Sequence, residues 1–278
     1  MTAISCRQLA PRLGEHEFNA ELTVAAVRAA VAEGAQVVVL PELATAGYVF
    51  NSREEVVAAA RAADDGVFLA WSAAVRPTGA VVVGGFAERT AVGTIYNSAA
   101  VVDGSGVLAV YRKTHLWDRE SLWFQPGSTP PPVVDTAGGR IGVAICYDLE
   151  FPEVTRHLAL AGADVIAVPT NWPLVERPHG ERPPEVVIAM AAARVNRVAI
   201  ACCDRSGTER GQRWTEGTTI IAADGWPVAV VGPGEGAASA EIDLTCSRDK
   251  RLSERNDAFG DRRPEIYGAV TAPRVDSA

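Results

Sequence analysis

Three side chains suited to opening a carbonyl or nitrile carbon each follow an apolar run in this sequence. Cys146 follows Ile141-Gly-Val-Ala-Ile145, Glu42 follows Val37-Val-Val-Leu-Pro41, and Lys113 follows Val107-Leu-Ala-Val-Tyr-Arg112. A thiol is a nucleophile, and a carboxylate can take its proton and later return it to a leaving amine. An ammonium can stabilise the oxyanion that forms at the attacked carbon. Glu120, seven residues beyond Lys113, is a second carboxylate able to hold the lysine charged and to orient substrate or water. Taken singly, each has a plainer reading. Most free cysteines are small buried hydrophobes, and most charges at strand ends are solvated. What raises the catalytic reading is their coincidence at three strand ends, where a sheet fixes functional groups.

The segment after Cys146, Tyr147-Asp-Leu-Glu-Phe-Pro-Glu153, reads as the entry to a helix, so Cys146 is expected at a strand–turn–helix corner. The dipole of that helix is expected to favour the thiolate. Upstream, residues 2–9 read as a first strand. Residues 16–33 read as a helix with Phe18, Leu22, Ala25 and Ala29 on its apolar face, ended by Gly34. Residues 36–40 form a continuous Val/Leu run, the pattern of a strand buried on both faces. Helices are expected at 53–63, 66–76, 152–161 and 185–196. Strands are expected at 80–86, 97–102, 107–111, 133–135, 141–145, 163–168, 198–203, 218–222, 228–231 and 238–242. Asp103-Gly-Ser-Gly106 and Asp224-Gly225 are hairpin turns. The loop 113–132 is rich in Trp, Phe and Pro, the stretch 171–184 is irregular, and the chain from Thr245 reads as an extended arm.

Hairpins in some places and helix-linked strands in others exceed what a purely parallel sheet shows. Two sheets packed face to face with helices outside accommodate the mixture. No linker or repeat divides the chain, which reads as one domain over 1–265 with a tail at 266–278.

The net charge of −8 argues against a nucleic-acid partner, and the 48% hydrophobic content fits a globular protein acting on small molecules. No apolar run has the length and freedom from charge of a membrane span: 186–203 is interrupted by Arg194, Asn196 and Arg197. Five cysteines in no regular spacing, with no signal-peptide pattern, point to a reducing, cytoplasmic setting. Rival chemistries are weaker. His16, His115, His157 and His179 carry no local signature of a Cys–His hydrolase, although His115 lies close to Lys113. Cys202-Cys203-Asp204 lacks metal-ligand spacing, so no metal is assigned. The glycines at 84–85, 104–106 and 232–236 read as turns rather than a phosphate loop. Trp117, Trp123, Phe124 and Trp172 read equally as core or as pocket walls. Arg177 and Arg182 read as solvated loop charges.

Pro41-Glu-Leu-Ala-Thr-Ala-Gly-Tyr48, Tyr111-Arg-Lys-Thr-His-Leu116 and Gly142-Val-Ala-Ile-Cys-Tyr-Asp-Leu-Glu-Phe-Pro-Glu153 resemble, in order and interval, the signature segments of the nitrilase superfamily of carbon–nitrogen hydrolases. The similarity extends through Phe124-Gln-Pro-Gly127, Pro169-Thr-Asn-Trp-Pro173 and 196–207, covering about 2–265. The resemblance implies a four-layer α-β-β-α sandwich and a Glu-Lys-Cys set falling on Glu42, Lys113 and Cys146, with Glu120 as the additional glutamate. It implies the Tyr147 N–H as the second oxyanion donor, with Tyr48, Asn171 and Trp172 as further substrate-binding residues. It also implies no cofactor, and a homodimer or higher homo-oligomer with C-terminal arms crossing between subunits. Family members often have Glu-Asn where this chain has Val195-Asn196.

The expected activity is hydrolysis of a small linear amide through a cysteine thioester, releasing ammonia and a carboxylic acid. Cys146-Tyr147-Asp148 is closer to the amidase and carbamoyl-hydrolase pattern than to the Cys-Trp-Glu of true nitrilases. Leu149-Glu150 stands where many carbamoylases carry Arg, which favours an amidase. An N-carbamoyl amide hydrolase or a nitrilase is the enzymatic alternative. A catalytically silent binding subunit is the non-enzymatic one.

Overall fold

The computed structural model describes residues 1–272. The last residues of the expected tail, 273–278, lie outside the described part. In chain order the elements are β1 (Thr2–Gln8), α1 (His16–Ala32), β2 (Val37–Val39), α2 (Arg53–Ala59), α3 (Gly66–Val75), β3 (Val81–Arg89), β4 (Ile95–Asp103), β5 (Gly106–Arg112) and α4 (Glu120–Trp123). After these come β6 (Val133–Thr136), β7 (Gly139–Val143), α5 (Pro152–Leu160), β8 (Val165–Pro169), α6 (Pro184–Asn196) and β9 (Ala199–Cys203). The chain continues through the small hairpin of β10 (Thr208–Glu209) and β11 (Gln212–Arg213), then β12 (Thr219–Ile221), β13 (Pro227–Val230), β14 (Gly236–Ile242) and α7 (Gly268–Thr271).

Two six-stranded sheets form the centre, ordered β14-β1-β2-β3-β4-β5 and β13-β12-β9-β8-β7-β6. Each has a parallel middle, β1-β2-β3 in the first and β7-β8-β9 in the second, flanked by antiparallel strands. Side chains alternate across a strand, so one run serves two layers. In β2, Val37 and Val39 join the core shared with the second sheet, through Ile4, Cys6, Val81, Val83, Val143, Val165 and Ile200. Val38 and Leu40 turn the other way, onto Val27 and Ala30 of α1 and Phe68 and Trp71 of α3. Helices α5 and α6 cover the second sheet through Leu158, Val186 and Ala189. The result is the expected α-β-β-α order of layers.

The phase of α1 differs from expectation. Its buried residues are Asn19, Thr23, Val27 and Ala30, whereas Ala25 and Ala29 are exposed and Phe18 and Leu22 only partly covered. The polar pair is buried because it is fully engaged. Asn19 bonds the Arg12 backbone at 2.8 and 2.6 Å, and the Thr23 hydroxyl accepts from the Trp71 indole at 3.1 Å. Hydrophobicity alone therefore reported the wrong face, while Gly34 ends the helix with φ +91° as expected. A second difference concerns Gly84-Gly85. They lie inside β3 rather than in a turn, and the chain after β2 runs directly over Gly85, where a Cβ would meet Leu43 N and lie 2.6 Å from Glu42 Cα.

The arm after Thr245 is not simply extended. It opens with a 3₁₀ turn, Leu244–Ser247. Lys250 Nζ then donates to the Asn196 and Arg197 carbonyls at 3.1 and 2.8 Å, satisfying the C-terminal end of α6. Among the described residues, no helix is long and apolar enough to cross a membrane.

Candidate active site

The strand ends predicted to carry chemistry converge. Glu42 leaves β2, Lys113 leaves β5, and Cys146 leaves β7 on the opposing sheet, with exposures of 0, 0 and 5%. Lys113 Nζ lies 2.7 Å from Glu42 Oε1 and 2.9 and 2.8 Å from the two oxygens of Glu120, which sits at the first position of α4. Glu120 is further held by the Tyr48 hydroxyl at 2.7 Å and the Trp117 N–H at 3.0 Å. Asn97 on β4, which the sequence did not single out, donates to Glu42 Oε1 at 2.7 Å and lies 3.4 Å from Glu120 Oε1. Among the described residues Glu42 Oε2 is buried with no partner, so it is the open acceptor of the cluster.

Two carboxylates and one ammonium leave a net negative charge away from water, and this sets the ionisation equilibria. Burial raises the Glu42 carboxyl to about 7. Lys113 and Asn97 pull it down, Glu120 pushes it up, and desolvation wins. Burial alone would lower the Lys113 ammonium, but Glu120 and Glu42 outweigh it and hold the lysine well above its ordinary value. Burial also pushes the Cys146 thiol well up, and neighbouring Glu42 adds to this. The opposing pull of Lys113 and the Asn171 N–H is weaker. This corrects the expectation of a dipole-stabilised thiolate. Cys146 opens a five-residue 3₁₀ turn, Cys146–Glu150, and α5 begins only at Pro152. The raised value keeps Cys146 a neutral thiol at rest.

Cys146 itself has φ +47°, the left-handed region that non-glycine residues rarely occupy. The first internal bond of its turn runs from the Asp148 N–H to the Ile145 carbonyl at 3.0 Å, leaving the Tyr147 N–H outside that ladder. The two sheets also grip each other at the cleft. Asn171, just after β8, donates its side-chain amide to the Glu42 carbonyl at 2.9 Å. Its neighbour Trp172 is buried, with its N–H 3.0 Å from Asp204 Oδ1 at the end of β9. Asp204 also accepts from the Arg205 and Gly217 N–H groups, both at 2.9 Å, and burial raises its carboxyl to about 7 despite these bonds.

Tyr48 is fixed twice, by its hydroxyl on Glu120 and by its N–H on Glu209 at 2.8 Å. Glu209 is in turn paired with the buried Arg205 at 3.1 Å. Asn97, Asp204, Arg205 and Glu209 all lie outside the quoted segments or carry ordinary strand and loop signatures. Only the burial of a polar or charged group, invisible in sequence, marks them.

The other candidates sort themselves. The His115 ring is bonded to Asp148 at 2.8 Å and stacked on Phe151 at 3.7 Å, so it is engaged away from the thiol. Phe124 is core, packed edge-on to Phe50, whereas Trp117 is 40% exposed and lies edge-on to Tyr147. Arg177 and Arg182 are exposed. At the departure from Glu-Asn, Val195 faces solvent while Asn196 bonds Thr155 at 3.1 Å, so the change lies on the outer side of α6.

Comparison with known proteins agrees with this architecture. The carbon–nitrogen hydrolase family model matches residues 3–251. A protein described as a nitrilase from Pyrococcus abyssi is 38% identical over 270 residues, covering 96% of this chain and 99% of that protein. An (R)-stereoselective amidase from Pseudomonas sp. is 32% identical over 265 residues, covering 95% and 92%. Among solved structures, a variant of the amidase from Nesterenkonia sp. AN1 carries the acetamide moiety of fluoroacetamide added covalently at its active-site cysteine. It superposes with a TM-score of 0.80 at 26% identity, covering 95% of each chain. With two helix-covered sheets and a family match over nearly its whole length, this chain belongs to the carbon–nitrogen hydrolase family, the nitrilase superfamily, and is a hydrolase of non-peptide carbon–nitrogen bonds.

Proposed function

We propose that the protein is an amidase that cleaves small linear amides through a thioester on Cys146, releasing ammonia and a carboxylic acid. The observation that carries this reading is the buried Glu42-Lys113-Glu120 cluster beside Cys146, in which Glu42 keeps one oxygen free. A base with one open oxygen and a pKa near neutrality can both take and return a proton. The Cys146 sulfur attacks the carbonyl carbon as its proton passes to Glu42. The oxyanion is met by Lys113 Nζ and the Tyr147 N–H. The C–N bond then breaks, and the proton on Glu42 goes to the departing nitrogen as ammonia. Water, deprotonated by Glu42 and oriented with Glu120, attacks the thioester, and the sulfur leaves with a proton restored. Tyr48, Asn171 and Trp172 line and brace the acyl side.

The names of similar proteins include both nitrilases and amidases. The amide reading is favoured by Cys146-Tyr147-Asp148 and by the amide-derived adduct on the similar Nesterenkonia enzyme. Ammonia release should be followed over aliphatic, ω-carboxy and N-carbamoyl amides and nitriles, with hydroxylamine present to trap the acyl-enzyme as a hydroxamate. Amides are expected to turn over faster than nitriles, to yield hydroxamate, and to be left intact by Cys146→Ala. Faster nitrile turnover would overturn the subclass, and activity in Cys146→Ala would overturn the mechanism. A homodimer through α5 and α6 is part of the same reading, supported by the exposed Leu160, Val187 and Val195. Sedimentation at micromolar concentration tests it, and a monomer throughout would sink it.

A further inference from the structure

Lys113 and Cys146 come from different sheets, so something must fix their separation. The fully buried carboxylate of Asp148 joins the two segments that carry them. Its Oδ2 accepts from the Ile145 N–H at 3.0 Å and the Tyr111 hydroxyl at 2.9 Å. Its Oδ1 accepts from the Thr114 hydroxyl at 3.0 Å and the His115 N–H at 3.1 Å, with the His115 ring nitrogen at 2.8 Å. Ile145 is the residue before the nucleophile, while Tyr111, Thr114 and His115 bracket Lys113. The bond to the Ile145 N–H also caps the Cys146 turn, because Asp148, the third residue of the turn, holds the N-cap amide. A residue with positive φ stays in place only if its surroundings over-determine it, and Asp148 anchors both its predecessor and its turn. The same two segments meet again through Trp117 against Tyr147 at 4.9 Å and His115 against Phe151 at 3.7 Å.

We propose that Asp148 is a positioning residue that sets the distance between the Lys113 ammonium and the Cys146 sulfur and holds the nucleophile's left-handed backbone. It does not touch the reacting atoms. The proposal rests on the Glu42-Lys113-Cys146 reading above and adds to it.

Asp148→Asn is a sharp test because each carboxylate oxygen accepts one backbone N–H, from Ile145 and from His115. Whichever way the amide turns, its NH₂ meets one of them and that bond is lost. A misplacement of about 1 Å costs on the order of 100-fold in rate. The expected result is a kcat lower by roughly that factor per folded molecule, with KM within about threefold and the acid limb of the pH profile unmoved, since Asp148 bonds neither of the carboxyls raised to about 7, Glu42 and Asp204. Folded molecules are counted from the calorimetric unfolding enthalpy. Tyr111→Phe and Thr114→Val each remove one donor while sparing the carboxylate. They are expected to fold normally and lose kcat by smaller factors, which keeps the test informative if Asp148→Asn folds poorly.

The proposal is overturned if Asp148→Asn keeps kcat within twofold per folded molecule, or if its loss lies in KM alone. It is likewise overturned if, with Asp148→Asn unfolded, both donor variants retain parental kcat. Cys146→Ala run in parallel separates the two levels. An active Cys146→Ala variant removes the underlying mechanism, whereas an inert one beside a fully active Asp148→Asn removes only the positioning role.

Discussion

The two sheets meet at the cleft with opposite kinds of order. The first, at the ends of β2, β4 and β5, supplies charge: Glu42, Asn97, Lys113 and Glu120 form one buried network in which each group's ionisation depends on the others. The second, at the ends of β7, β8 and β9, supplies a neutral thiol and backbone geometry: Cys146 at positive φ, Asn171 reaching back to the Glu42 carbonyl, and Asp204 gathering three backbone amides. On the first side a lost partner leaves an uncompensated charge. On the second it leaves a misplaced atom. Stability should therefore report mainly on the first sheet, and geometry on the second.

Removing one residue from each side gives the widest separation. Lys113→Met leaves Glu42 and Glu120 buried without their cation, and breaking such a pair costs about 3–5 kcal/mol. The loss should be greatest at alkaline pH. With Lys113 gone the Glu42 carboxyl loses the main influence that lowers it, so its folded-state pKa stands further above its unfolded one, and stability is retained at low pH and lost as pH rises through the raised value. Cys146→Ala removes only a neutral sulfur, which is worth about 1 kcal/mol. Both variants should be inactive, yet denaturant unfolding at pH 8 should show a large loss for the first and a small one for the second. Equal losses would erase the distinction between the sheets.

Gly85→Ala probes geometry on the charged side. A Cβ there collides with the backbone at Glu42 and Leu43, so the strand end must move while every ionisable group is kept. A displacement approaching 1 Å predicts a fall in kcat/KM of about 10- to 100-fold, and assays across pH should show the acid limb broadly retained. Unchanged kcat/KM would mean that Glu42 is placed by its hydrogen bonds alone.

This glycine also shows where sequence reasoning stops. The strand ends were legible because an unbroken Val/Leu run ending in Pro41-Glu42 has few other readings, and the Glu-Lys-Cys segments carry their order with them. Period and punctuation likewise placed most strands and the Asp103–Gly106 and Asp224-Gly225 turns. Gly84-Gly85 looked like a turn because a glycine pair usually is one, and the reason for it, another segment's backbone passing overhead, is non-local. Asn19 and Thr23 were missed on α1 because polarity was read as exposure, although their partners Arg12 and Trp71 lie elsewhere in the chain. Asn97, Asp204 and Asp148 share that limit: what a buried polar residue does is decided by distant partners.

The finest distinction concerns which group gives the enzyme its acid limb, because Glu42 on one sheet and Asp204 on the other are both raised to about 7 by burial. If Glu42 is the base, kcat/KM should rise with pH through that value, since only the ionised carboxylate can accept the thiol proton. Glu120→Gln separates the two. Glu120 raises the Glu42 value by direct repulsion and also occupies Lys113, whose attraction lowers it. Neutralising Glu120 removes the first effect and strengthens the second, so both push Glu42 down and the limb should move to lower pH, with kcat reduced. Asp204 is held by the Trp172, Arg205 and Gly217 amides, none of which the substitution touches. A limb that stays in place in Glu120→Gln but moves in Asp204→Asn would assign it to the second sheet, and proton transfer at Glu42 would no longer limit the acid side.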